Sequence, residues 1–183
     1  SFWFLQSDST GRINGDMFPE EEFVSTYLDV MINSTVKGDK KAVYRTELLR
    51  KYPFPVFDGE TFLGEGIIHK RIGDCYKSVF INKVIYKGDY LEGGLSDSGR
   101  ELRIKNPLGG MANSKEFVGR DVNLRIRIKK MTLYLTYGMF SGLKYWDIVC
   151  DSEFPVLAVV CTPMSLVLFM YWLKRYGSDQ GRS

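Results

Sequence analysis

The chain has 183 residues, 44% of them hydrophobic, which suits one domain with its own core and no covalent staples. Its 25 Lys and Arg against 22 Asp and Glu leave a net charge of +3. That is far below the basic excess that drives counterion-release binding, so nucleic acid is not an expected partner. The three cysteines, Cys75, Cys150 and Cys161, are widely spaced with no CxxC pair, which argues against a disulfide framework or a zinc knuckle and fits a reducing compartment.

In chain order, FWFLQ (2–6) followed by Asp, Ser and Gly predicts a strand and a tight turn. No basic-then-apolar leader precedes it, so Ser1 reads as a cut within a longer pattern. MFPEEEFVSTYLDVMIN (17–33) predicts a helix: Pro19 suits the first turn, Glu20 to Glu22 suit its positive end, and Phe23, Tyr27 and Met31 recur at i+4. A short strand at Ala42 to Tyr44 and a short helix capped by Thr46 follow, the helix ended by Pro53 and Pro55.

Asp58 or Gly59 is expected to open the next helix, PVFDGETFLGEGIIHKRI (55–72), which Gly73 and Asp74 close. YKSVFINKVIY then reads as one or two strands, and 87–110, rich in Gly, Ser, Asp and charge, as a long loop ordered by ligand. VNLRIRIKKMTLYLTYGMFSGLKYW (122–146) predicts an aromatic-rich amphipathic helix with one basic face. From Phe154 to Leu173 no residue is charged, and Lys174 and Arg175 follow. That length permits a membrane span, while Pro155, Pro163, Thr162 and Ser165 suit a surface-lying helix, and a buried core helix is a third reading.

Several common sites are excluded. With His69 the only histidine, two-histidine metal motifs cannot form; no P-loop, GxGxxG, GxSxG or DxD occurs. What remains is a set of carboxylates and cations. Glu60 reads as a first-turn helix stabiliser. Glu65, between Gly64 and Gly66, reads either as a solvated helix carboxylate paired with His69 at i+4 or as an acid that the glycines leave open to substrate. His69 itself reads as a satisfied helix histidine. Arg100, Arg103 and Lys105, on the glycine-rich loop, suit a phosphate or diphosphate, or else simply face water.

The ordered motifs VKGDKKAVYRTELLRKYPFPVFDGETFLGEGIIHKRI, YKSVFINKVIYKGDYLEGGLS and RIKNPLGG resemble the C-terminal half of bacterial family 2 glycosyltransferases of the GT-A fold, over residues 1 to about 125. The resemblance implies an α/β fold: a partial GT-A (nucleotide-diphosphosugar transferase) sheet with flanking helices. Residues 1–122 would form the acceptor-side, catalytic-base part and 123–183 an amphipathic and hydrophobic helical tail. Wider family 2 carries an acidic pair at the head of a helix with an arginine six residues after the second acid. Gly64 and Glu65 stand at that pair here, departing from it at Gly64, and Arg71 at the arginine.

The implied chemistry is inverting transfer from a nucleotide-diphosphosugar to a glycan or lipid-linked acceptor of the cell envelope, with Glu65 as the base. Glu60 and Arg71 would support the substrate side, and Lys37, Asp39, Lys40 and Arg45 would line the donor or acceptor side. Arg100, Arg103 and Lys105 would help neutralise the leaving diphosphate. A divalent cation, Mg or Mn, is expected for the full enzyme, but the nucleotide-binding half with its DxD ligands has no counterpart here, so this chain alone is expected to be inactive. Relatives of this kind end in a tail that binds the membrane, so residues 124–175 imply a membrane-surface partner. The implied location is the cytoplasmic face of a bacterial plasma membrane, or the cytoplasm. The competing reading is a non-catalytic membrane-surface or carbohydrate-binding module built on the basic, aromatic helix.

Overall fold

The computed structural model describes residues 1–89 and 99–176. The chain divides into two compact units, Ser1–Phe54 with Ile68–Ser96 and Pro55–Ile67 with Asp97–Ser183. In the first, strands β1 (Phe2–Ser7), β2 (Glu22–Ser25), β3 (Lys40–Val43) and β4 (Ser78–Lys87) form a mixed sheet in the order β2-β4-β1-β3. β1 runs parallel to β4, while β3 pairs antiparallel with β1 and β2 antiparallel with β4. Helix α1 (Thr46–Lys51) and most of α2 (Gly66–Cys75) belong with this sheet, which makes the unit α/β.

Alternation along β1 turns Trp3 and Leu5 inward, and they are buried with Phe80 of β4 and Ile68 and Ile72 of α2. The Trp3 ring stacks on Tyr27 at 5.2 Å and on Phe80 at 6.4 Å. A Cβ on Gly73 would stand 2.5 Å from the Tyr27 Cβ, so this glycine lets α2 lie against that ring.

Two sequence expectations give way here. Residues 17–33 are not one helix: Glu22–Ser25 pairs in register with Ser78–Ile81, and only Leu28–Ile32 forms a single wide helical turn. The ladder satisfies backbone groups that the i+4 pattern assigned to a helix, and Phe23 stacks on Phe80 instead. The turn is started by Thr26, whose hydroxyl donates to Asp29 Oδ2 and accepts the Asp29 N–H. The helix expected from Asp58 starts at Gly66, because residues 55–64 are extended or turning and Gly59 adopts a φ of 78°.

In the second unit the expected long loop contains two helices, α3 (Gly99–Lys105) and α4 (Pro107–Lys115); its stretch 90–98 lies outside the described residues. Helices α5 (Leu124–Phe140), α6 (Tyr145–Asp151) and α7 (Pro155–Tyr176) follow. α5 is amphipathic only at its start: Arg125 and Lys129 are exposed, whereas Met131, Tyr134, Leu135 and Tyr137 are buried. The core adds Ile104, Met111, Val118, Ile148, Val149, Ala158, Cys161 and Trp172.

Helix α7 lies on α5 through small residues. Ala158, Cys161 and Ser165 are buried, the Ser165 hydroxyl donates to the Thr132 carbonyl at 3.2 Å, and Trp172 meets Tyr137 at 5.6 Å. Small side chains let two helix backbones approach closely without loss of packing. The rest of α7 stays open, with Val160 70% and Val167 64% exposed. It is the one described helix long and apolar enough to cross a membrane, with a mean hydropathy of 2.1.

Candidate functional site

The second unit ties its segment 60–66 onto α4. The Glu60 carboxylate accepts the Leu108 N–H at 2.6 Å and the Gly109 N–H at 2.7 Å, two first-turn donors that have no partner inside the helix. In return, Asn106 Oδ1 accepts the Thr61 and Phe62 N–H groups, and its amide nitrogen donates to the Leu102 carbonyl. The NPLGG run is thereby explained. Pro107 sits at the first turn, where its missing N–H costs nothing. A Cβ on Gly109 would stand 2.9 Å from the Phe62 carbonyl, and one on Gly110 2.9 Å from the Tyr137 ring. Glu60, expected to stabilise a helix start and to support the substrate side, accepts with both oxygens from backbone donors at the start of α4.

Glu65 is exposed, in the turn immediately before α2, so it stands at the head of that helix and not within it. The glycines beside it do not leave open room. A Cβ on Gly66 would meet Asn113 Oδ1 at 3.0 Å and the Phe117 ring at 3.7 Å, and one on Gly64 would meet the Asn113 amide at 3.4 Å. They admit Asn113, a residue on α4 that sequence reasoning missed. Its Oδ1 is buried and accepts no hydrogen bond among the described residues.

The cations of this unit differ in how they are held. Arg103 donates to the Gly99 carbonyl at 2.7 Å and lies over the Phe62 ring. Arg100 is exposed, its guanidinium 4.5 Å from the Trp172 ring centre. Lys105 pairs with Glu101 one turn back at 2.6 Å, an exposed contact of little energetic weight. Lys130 is the cation that the sequence did not single out for a site. It sits 4.2 Å over Phe117, and burial, with the like charges of Lys129 and Arg103, brings its pKa down to about 8.

The remaining expected residues lie in the first unit. Lys40 is 9% exposed, donates to the Lys37 carbonyl and lies over the Phe18 ring. Its pKa is lowered by burial, against the opposing pull of Asp16 and Asp39. Lys37, Asp39 and Arg45 are exposed, and Arg71 is half-buried on α2. His69 is enclosed by rings: its Nδ1 is 2.8 Å from the Tyr44 hydroxyl, and Trp3 meets it edge-on at 4.9 Å.

Among the described residues no group of three His, Cys, Asp or Glu side chains could hold a metal ion. No family model, no curated protein and no solved structure matches the chain.

Proposed function

We propose that this chain is the acceptor-side, catalytic-base part of an inverting glycosyltransferase that works at the cytoplasmic face of a bacterial plasma membrane. Beside the motif order that resembles family 2, the observation that supports this reading is the placing of Glu65. It is an exposed carboxylate at the head of α2, just after the segment that Glu60 and Asn106 clamp to α4. In the proposed reaction Glu65 takes the proton of an acceptor hydroxyl as its oxygen forms the new bond to the anomeric carbon. The bond to the nucleoside diphosphate breaks in the same step, and the leaving group carries the electron pair away. Arg103 and Lys130 would supply positive charge for the diphosphate, worth most where water is excluded.

The test is sugar transfer from labelled nucleotide-diphosphosugars to membrane glycan and lipid acceptors by the full gene product in membranes. Glu65→Gln should lower turnover by about 10² to 10⁴ while donor binding, measured by calorimetry, stays within about twofold. Near-normal turnover in the variant would remove Glu65 as the base. Complete absence of transfer by the unmodified protein, with membrane binding intact, would favour the non-catalytic module.

A further inference from the structure

Alongside α5 and α7 runs a groove of about 520 Å³ lined by Arg100, Arg125, Lys129 and Arg175 and, among the described residues, by no carboxylate. Its floor includes Ile128, Leu168 and Trp172. Four cations around one hollow repel one another, and none of them is in an ion pair among the described residues. Arg100 is held in place over Trp172, and Arg175 donates to the Tyr171 hydroxyl at 2.9 Å. The arrangement is therefore complementary to an anion.

A soluble anion does not account for the rest of the hollow. The groove shares Thr132, Met164, Leu168 and Tyr171 with a second hollow of about 600 Å³ that Pro163 and Val167 complete. That second hollow lies on the exposed apolar side of α7, where Met164 is 52% and Val167 64% exposed. A cationic border joined to an apolar slot on an uncovered helix face matches a molecule with an anionic head and a hydrocarbon tail.

We propose that this groove binds an anionic bilayer lipid, its phosphate among Arg100, Arg125, Lys129 and Arg175 and its first acyl segment along Met164, Val167 and Leu168. The lipid would hold α7 at the membrane surface and give the chain a preference for anionic membranes. The proposal does not rest on the transferase reading, since an inactive protein that selects anionic lipid would sustain it.

The experiment is vesicle flotation of the full chain with neutral phosphatidylcholine alone and with a fraction of phosphatidylglycerol. The unmodified chain should bind the anionic vesicles about a hundred- to a thousandfold more tightly, the sum expected from three or four surface cations. Arg125→Gln, Lys129→Gln and Arg175→Gln together should abolish that preference and keep neutral-vesicle binding. These residues are exposed, so the triple variant should keep its near-ultraviolet circular dichroism. Lys77→Gln, Lys83→Gln and Lys87→Gln, which remove the same charge from exposed positions in the first unit, should lower it less than about threefold. Equal binding to the two vesicles, an intact preference in the first triple variant or an equal loss in the second would each overturn the proposal. So would release from vesicles by millimolar glycerol phosphate, the signature of a soluble-phosphate site. A stable dimer in lipid-free buffer that ignores both vesicles would overturn it as well, by assigning the face to a second copy.

Discussion

Lys130 shows how a charge can be stored at a cost inside a fold. The folded chain releases its proton near pH 8 and the unfolded chain near 10.5. Between those values the unfolded state holds more protons, so stability rises with pH across the window and the full penalty applies below it. Lys130→Met should therefore stabilise the chain at pH 7 by about 1 to 3 kcal/mol, with the gain shrinking towards pH 10.5. Urea denaturation at pH 7 and pH 10 measures it, and an identical gain at both would disprove the account. Nothing in RIRIKK distinguishes this lysine from its neighbours: Lys129 is exposed and Lys130 half-buried only because α5 turns one of them towards Phe117. Asn113 was illegible for the same reason, since its closeness to Gly64 and Gly66 depends on how the chain before α2 meets α4.

At the scale of elements, the start of α4 is secured by a residue 48 positions away in sequence. Glu60→Ala would leave the Leu108 and Gly109 N–H groups without their acceptor and should cost about 2 to 3 kcal/mol, while Glu60→Gln, which keeps an oxygen, should cost about half as much. Amide exchange at Leu108 and Gly109 should quicken in step with the loss, and unchanged protection would show that another group caps the helix. β1, β3, α1 and β4 were legible because hydrophobic alternation and prolines mark them locally. Residues 22–25 were not, since their strand exists only by pairing with β4, and three glutamates with an i+4 aromatic pattern imitate a helix start. α3 and α4 were hidden by composition. Gly109 and Gly110 read as loop residues, yet each is there because a neighbour comes too close for a Cβ. Glu65 was expected inside a helix and stands just before α2, because residues 55–65 form no helix.

For the molecule as a whole, the two units solve burial differently. The first closes aromatic rings over a small sheet, while the second wraps α5 and leaves most of α7 uncovered. The seam between α5 and α7 contains Cys161, buried with its Sγ 4.0 Å from the Ile128 carbonyl, whereas Cys75 and Cys150 are exposed. The protein thus carries its own reporter thiol. A disulfide-exchange reagent should titrate Cys75 and Cys150 quickly in the native state, and Cys161 only at the rate at which α7 lifts from α5; reaction of all three at one rate would mean that the seam is open in solution. Once modified, Cys161 could not return to a gap sized for a bare thiol, so an adduct there would act as a wedge that keeps the two helices apart.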